Sequence, residues 1–103
     1  MPNTELLSGI IVEEVHSLTL DEFCQATHVT REIIIEMVDY QLIHPQGKKP
    51  EEWRFDSMSL KRGRLAASFY HELEINMPGV ALALELMDKI QYLELKISET
   101  KKN

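Results

Sequence analysis

Two helix starts lie within the stretch Thr19-Leu20-Asp21-Glu22-Phe23-Cys24-Gln25-Ala26-Thr27-His28-Val29-Thr30-Arg31-Glu32. Thr19 and Glu22 have the spacing of a capping box, in which each side chain accepts a hydrogen bond from the other residue's amide. Thr30 is a second N-cap residue, since its hydroxyl can accept from an amide in the following turn. The spacing predicts helices over 20–27 and 31–40. Two short helices joined by three residues are typical of a helix-turn-helix motif.

Further elements are predicted on both sides of this motif. Residues 9–16 are rich in β-branched side chains and predict a strand. Two short extended pieces, 42–45 and 53–55, flank the polar turn 46–50 and predict a small β-hairpin, or wing. Asp56 or Ser57 is predicted to cap a third helix.

The third helix is predicted to extend to about residue 74. Leu65, Phe69 and Leu73 recur at i, i+4 and i+8, so we expect them to form its buried face. Gly63 lies in the middle of this helix and weakens it by about 1 kcal/mol relative to Ala.

A long last helix is predicted from Asn76-Met77-Pro78 to about Thr100, because Pro78 suits a first helical turn. Its apolar residues form two rows. We expect the first row, Val80, Leu84 and Met87, to face the domain. The second row alternates by three and four residues, as in a coiled-coil heptad. It consists of Ala83, Leu86, Ile90, Leu93 and Ile97. Docking onto the chain's own domain fits this second row, but we favour a homodimer through Leu86, Ile90, Leu93 and Ile97.

The chain of 103 residues is long enough for one small domain. Hydrophobic residues make up 44% of it and charged residues 27%, which is typical of an ordered globular protein. No apolar run approaches the roughly 18 residues that a membrane-spanning helix needs. The first residues lack the basic and then apolar pattern of a secretory signal, so we expect a cytoplasmic protein. The single cysteine, Cys24, excludes an internal disulfide.

Negative charge is concentrated in the first half of the chain. Residues 1–47 contain eight acidic residues and one basic residue, Arg31. An acidic surface repels nucleic acid and suits a basic partner. Many acidic surfaces serve only solubility, and that interpretation fits the same residues.

No catalytic pattern is found in the sequence. Cys24 and His28 stand four residues apart, which suggests a two-ligand metal site, but zinc normally needs three or four protein ligands. Phe23 beside the cysteine favours a buried apolar thiol instead. The glycines are scattered singly and form no phosphate-binding loop. We therefore expect neither an enzyme nor a cofactor.

A DNA-binding function is the main alternative, because a helix-turn-helix with a wing is a DNA-binding shape. The second helix would then have to present basic or amide side chains to the major groove. It presents Arg31 with three carboxylates, Glu32, Glu36 and Asp39, which oppose contact with phosphates. A small metal sensor using Cys24 and His28 is a third interpretation.

Four stretches resemble the MerR group of winged helix-turn-helix proteins and, within it, the CbpM family of chaperone modulators. They are Thr19-Leu20-Asp21-Glu22-Phe23-Cys24, Leu42-Ile43-His44-Pro45, Trp53-Arg54-Phe55 and the run 73–90, which includes Asn76-Met77-Pro78-Gly79-Val80-Ala81. The resemblance covers about residues 10–97, and the run 73–90 is its most specific part. Gln41 departs from the MerR pattern, which has Gly before the second stretch.

The resemblance implies a binding protein. CbpM-family proteins bind the J-domain of CbpA, a DnaJ-like co-chaperone, and restrain its stimulation of the chaperone DnaK. J-domains present a basic helix to DnaK, and an acidic surface can mask such a helix by charge complementarity. On charge alone, the candidate partner-binding residues are Glu32, Glu36, Asp39, Glu13 and Glu14.

The sequence therefore predicts a mainly α fold with a small β wing, built as a MerR-like winged helix-turn-helix plus a long C-terminal helix. Residues 1–8 are expected to be a flexible N-terminus and 9–76 the domain. Residues 77–103 are expected to be the long helix, used for dimerisation. The expected partners are the J-domain of a CbpA-like co-chaperone and a second copy of the chain.

Overall fold

The computed structural model describes residues 6–7, 10–11 and 17–102. Strands β1 (Leu6–Leu7) and β2 (Ile10–Ile11) pair antiparallel, with Leu6 opposite Ile11. The remainder of the predicted strand 9–16, and most of the predicted flexible segment 1–8, lie outside the described residues. In the described part of the chain four α-helices follow, so the mainly helical fold is confirmed. They are α1 (Leu20–Thr27), α2 (Arg31–Asp39), α3 (Ser57–His71) and α4 (Met77–Lys102).

Side-chain caps set the helix starts at the predicted residues. The amide of Thr19 donates to Oε1 of Glu22 at 2.9 Å, and the amide of Glu22 donates to Oγ1 of Thr19 at 3.2 Å. Thr30 accepts from an amide of α2 at 3.3 Å, and Asp56 accepts from an amide of α3 at 2.9 Å. Asn76 accepts from an amide in the first turn of α4 at 2.9 Å. These bonds satisfy amides that a helix start otherwise leaves without a partner.

The turn that ends α2 contains Gln41 at the position where the MerR pattern has glycine. Its φ of 64° is left-handed, a conformation in which glycine is the usual residue. The amide of Leu42 donates to the carbonyl of Met37, and that of Gln41 to the carbonyl of Val38, both at 2.9 Å. This pattern is a Schellman motif, so the turn forms without the glycine of the MerR pattern. A side chain in this conformation costs roughly 1 kcal/mol or more.

The predicted β wing is not shown by the structure. Gln46 and Arg54 exchange two backbone hydrogen bonds of 3.0 and 2.9 Å, but they form a single bridge without neighbouring pairs. Between them, Pro50–Glu52 forms a single 3-10 turn. Gly47 has a φ of 113°, and a Cβ there would lie 2.5 Å from a carbonyl oxygen. The segment between the two residues turns and contains Pro50, which has no amide hydrogen, so the pairing does not continue towards the turn.

Phe23 of α1 lies at the centre of the core. It is fully buried, and its ring stacks on that of Phe55 with the centroids 4.2 Å apart. Phe55 in turn pairs with Leu18 through two backbone hydrogen bonds of 2.8 Å. A Cβ at Gly63 would lie 2.7 Å from Cζ of Phe23, so the glycine is what allows α1 to approach α3 this closely.

The predicted buried face of α3 is partly wrong. Leu65 and Phe69 are half-buried against the core, but Leu73 is 61% exposed because α3 ends at His71. The residues that α3 buries are mostly small ones: Ser59, Leu60, Gly63, Ala66 and Ala67. Small side chains on this face fit the close packing of α1 on one side and α4 on the other.

Only the first two turns of α4 pack on the domain. Val80 and Leu84 are buried as predicted, whereas Met87, predicted to face the domain, is 42% exposed. Every residue from 85 to 101 is exposed. The helix extends beyond the domain, since its 26 residues span about 39 Å at 1.5 Å per residue. A salt bridge connects α4 to α3: Nη1 of Arg62 lies 3.0 Å from the carboxylate of Asp88.

We expect Gly63→Ala to lower the free energy of unfolding by about 1–3 kcal/mol, although alanine is the better helix former. The added methyl group meets a ring that is held from its other side by Phe55. Urea denaturation of the variant and of the parent protein measures the change. In a Phe23→Leu background the penalty should shrink, because the ring is gone. An equal penalty in both backgrounds would contradict the steric explanation.

We expect Gln41→Gly to raise the free energy of unfolding by about 1 kcal/mol, because glycine adopts the left-handed conformation without strain. Thermal unfolding followed by circular dichroism measures the gain. Gln41→Ala is the matched control, since it removes the same amide but keeps the Cβ. A similar gain from the alanine would assign the effect to the side chain instead of the backbone.

Candidate partner-binding site

Three carboxylates form one side of α2, which we call the acidic face: Glu32, Glu36 and Asp39. Glu32 and Asp39 are exposed, and Glu36 is half-buried. The opposite side of the helix carries Ile34 and Met37, both completely buried in the core. The structure thus brings the three predicted acids together on the solvent side of the second helix of the motif.

Neither of the salt bridges described within residues 17–102 involves the acidic face. The two salt bridges found there join Arg31 to Asp21 at 2.8 Å and Arg62 to Asp88 at 3.0 Å. Arg31, the one basic residue of α2, is thereby drawn towards α1. The carboxylates of the acidic face keep their charge available to a partner.

Two of these acids are unfavourably placed for the stability of α2 itself. Glu36 and Asp39 lie in its last turn, where the helix dipole favours positive charge, and that turn contains no basic residue. Each such charge destabilises an exposed helix by roughly 0.3–1 kcal/mol. Two of the three carboxylates of the acidic face therefore lower the stability of α2, whereas Glu32, in its first turn, is favourably placed.

The other two predicted acids, Glu13 and Glu14, lie outside the described residues. The structure neither adds them to the acidic face nor separates them from it.

Five large apolar side chains form an exposed row on α4, which we call the apolar stripe. It contains Leu82, Leu86, Ile90, Leu93 and Ile97, each between 49% and 57% exposed. Four of these are the predicted dimerisation residues. Leu82 was missed, although it stands one helical turn before Leu86; Ala83, predicted in the same row, is half-buried.

Beside the stripe lies a groove between α3 and α4, with a volume of about 510 Å³. Its apolar lining comes from Leu65 of α3 and from Leu84, Met87 and Ile90 of α4; its polar lining comes from Arg62, Asp88, Gln91 and Glu94. Sequence reasoning missed this groove, because only the packing of two helices distant in sequence creates it.

Cys24 and His28 do not share a helix face. The helix α1 ends at Thr27, and His28 follows it in a left-handed conformation with φ 62°. Burial, with a smaller contribution from the carboxylate of Asp21, raises the pKa of the Cys24 thiol. The thiol is therefore protonated at neutral pH and is a weak nucleophile. Within the described residues, no group of three or more His, Cys, Asp or Glu side chains is placed to hold a metal ion.

None of the helices in the described part of the chain has the length and apolar character needed to cross a membrane. This agrees with the distribution of charge along α4, in which acidic and basic residues separate the apolar ones.

Comparison with known proteins gives the family. A family model described as MerR HTH family regulatory protein matches residues 18–102. The chain is 54% identical over 93 residues to a Coxiella burnetii (strain Dugway 5J108-111) protein, covering 90% of this chain and 88% of that one. That relative is named chaperone modulatory protein CbpM.

Two Pseudomonas putida proteins carry the same name. The protein of strain W619 is 36% identical over 95 residues, covering 92% of this chain and 91% of its own. The protein of strain GB-1 is 38% identical over 87 residues, covering 84% and 83%. The range matched by the family model includes the helix-turn-helix, the start of α4 and its exposed half. The chain therefore belongs to the CbpM family of chaperone modulatory proteins, within the MerR helix-turn-helix group.

Proposed function

We propose that the chain binds the J-domain of a CbpA-like co-chaperone through its acidic face and so restrains the action of that co-chaperone on DnaK. The relatives named chaperone modulatory protein support the modulator role. The observation that carries the proposed interface is the acidic face of α2, where three carboxylates lack a basic partner in the described structure.

The proposed mechanism is competition for one basic surface. A J-domain presents a basic helix to DnaK, and complementary charge speeds the encounter with an acidic partner and orients it. Once the acidic face covers that helix, DnaK cannot reach it. The inhibition is stoichiometric and needs neither catalysis nor a cofactor, and we place it in the cytoplasm.

The acidic face also argues against the alternative, a DNA-binding regulator. The second helix of a helix-turn-helix normally enters the major groove and reads base edges. In this chain its solvent side carries Glu32, Glu36 and Asp39. Their charges would face the phosphates and weaken binding at every sequence.

We further propose that the chain forms a homodimer through the apolar stripe. The stripe leaves five large apolar side chains about half exposed in one row along a helix, and contiguous apolar surface of this kind marks an interaction site. Its spacing by three and four residues suits packing against a second helix of the same kind. The charged residues Glu85, Lys89 and Lys96 flank the stripe on one side.

Glu36→Lys should weaken binding to the isolated J-domain by roughly tenfold or more, because it places a positive charge against a basic helix. Calorimetric titration at two salt concentrations measures the affinity, and the parent complex should weaken as salt rises. Glu99→Lys is the matched control, with the same change in net charge near the end of α4. It should change affinity little.

Three results would oppose this interface. Equal weakening by both substitutions would indicate a general effect of net charge. Unchanged affinity of Glu36→Lys would remove α2 from the contact. Absence of J-domain binding by the parent protein, together with binding to duplex DNA, would favour the regulator instead.

Ile90→Asp should convert the dimer to a monomer, because it places a charge in the middle of the apolar stripe. Sedimentation equilibrium measures the mass in solution. Leu95→Asp is the matched control: Leu95 is 59% exposed on the same helix, but it lies on the side opposite the stripe. A dimer that persists in Ile90→Asp, or is lost equally in both variants, would reject the stripe as the dimer interface.

A further inference from the structure

We propose that Arg62 is a positioning residue for the acidic face. Its guanidinium binds the turn after α2 and the carboxylate of Asp88 on α4 at the same time, so the placement of the acids at the end of α2 depends on α4. This role rests on the proposed binding of a basic partner by the acidic face. It adds two residues, Arg62 and Asp88, that act on this binding through the backbone of the turn.

The guanidinium of Arg62 has two acceptors on different elements. Its Nε donates to the carbonyl of Leu42 at 2.8 Å, and its Nη1 donates to Asp88, at 3.0 Å to Oδ1 and 3.4 Å to Oδ2. The donors of a guanidinium lie in one plane at fixed angles, so two groups bound to it are held in a fixed relation to each other. Leu42 follows Asp39, the last residue of α2, by three positions. The bond to Leu42 therefore acts directly on the end of the acidic face.

Space that side chains do not fill lies between the end of α2 and α4. It is a cavity of about 330 Å³, with Tyr40 and Leu42 on the side of α2 and Ala81 on the side of α4. Arg62 and Asp88 line this cavity and also the groove between α3 and α4. Close packing normally fixes the relative position of two elements, and at this point it is incomplete. The hydrogen bonds of Arg62 supply the connection instead.

The turn that Arg62 binds has an unfavourable backbone conformation. Gln41 is left-handed, with φ 64°, although it carries a Cβ. A strained residue keeps its conformation only where the surrounding structure holds it. The bond from Arg62 to the next residue, Leu42, is such a contact, and Asp88 keeps the guanidinium directed towards it.

Charge alone would give Arg62 the opposite effect on binding. A positive charge near the end of α2 opposes a basic partner, so removing it should strengthen the complex. If the position of the turn decides, removing Arg62 should weaken the complex. The sign of the change therefore separates the two roles.

Arg62→Met removes the charge and the hydrogen bonds but keeps a long side chain. We expect it to weaken binding of the isolated J-domain by about fivefold or more, measured by calorimetric titration. Arg62→Lys keeps the charge but lacks the planar fork, and it should weaken binding by a similar factor. Lys61→Met is the matched control, because it removes the same charge from an exposed neighbour on α3. It should leave the affinity unchanged or slightly higher.

Amide hydrogen exchange reports on the turn without any partner. The amide of Leu42 donates to the carbonyl of Met37 at 2.9 Å, so its exchange rate measures the opening of the turn. We expect Asp88→Asn to speed this exchange by about threefold or more relative to the amides of α1, which report any general loss of stability. Glu85→Gln is the matched control, since it removes the same charge beside the same cavity. It should leave the rate unchanged.

The outcomes separate this role from the proposed function on which it rests. If Arg62→Met strengthens J-domain binding, or Arg62→Lys leaves it unchanged, Arg62 acts through charge and the positioning role is rejected. If Asp88→Asn leaves the exchange of the Leu42 amide unchanged, α4 does not control the turn, and the role fails even where the J-domain binds. If the parent protein does not bind the J-domain while Asp88→Asn speeds the exchange, the proposed function fails and the link between α4 and the end of α2 stands.

Discussion

The contact between Phe23 and Gly63 holds the helical domain together. A ring with no exposed surface fits against the one position of α3 that has no side chain, and Phe55 covers its other side at 4.2 Å between centroids. That single packing joins α1, α3 and the segment that enters α3, and the Leu18–Phe55 bridge anchors the chain just before α1. The glycine weakens its own helix, but the close packing that it permits offsets the loss.

The packing of α1 in the core leaves one side of α2 facing the solvent. Ile34 and Met37 fill the core, so helical spacing alone turns Glu32, Glu36 and Asp39 outwards. In a DNA-binding protein with this motif, that side would meet the major groove. Carboxylates there, two of them at the helix end where negative charge is unfavourable, make sense for a protein whose partner is basic.

The long helix is the second functional part, and Arg62 connects it to the first. Its Nε donates to the carbonyl of Leu42 at 2.8 Å, just beyond α2, while its Nη1 meets Asp88 of α4 at 3.0 Å. One side chain of α3 thus links the end of the acidic helix to the point where α4 leaves the domain. Beyond that point the helix is exposed on all sides, with its apolar residues unpartnered in the described chain.

Local chemistry in the sequence determined the helix starts, because the side chains of Thr19, Thr30, Asp56 and Asn76 each accept a hydrogen bond from the amide three residues further on. Helical spacing also determined which acids share a face of α2 and which apolar residues align along α4. The tertiary structure alone decided which residues of these helices are exposed to solvent. Leu73 and Met87 are exposed because α3 ends early and α4 extends beyond the domain. It also decided that the wing reduces to one bridge, and that Leu65 and Met87 share a groove. Burial and grooves depend on contacts between segments far apart in the chain, and no periodicity within a single helix contains that information.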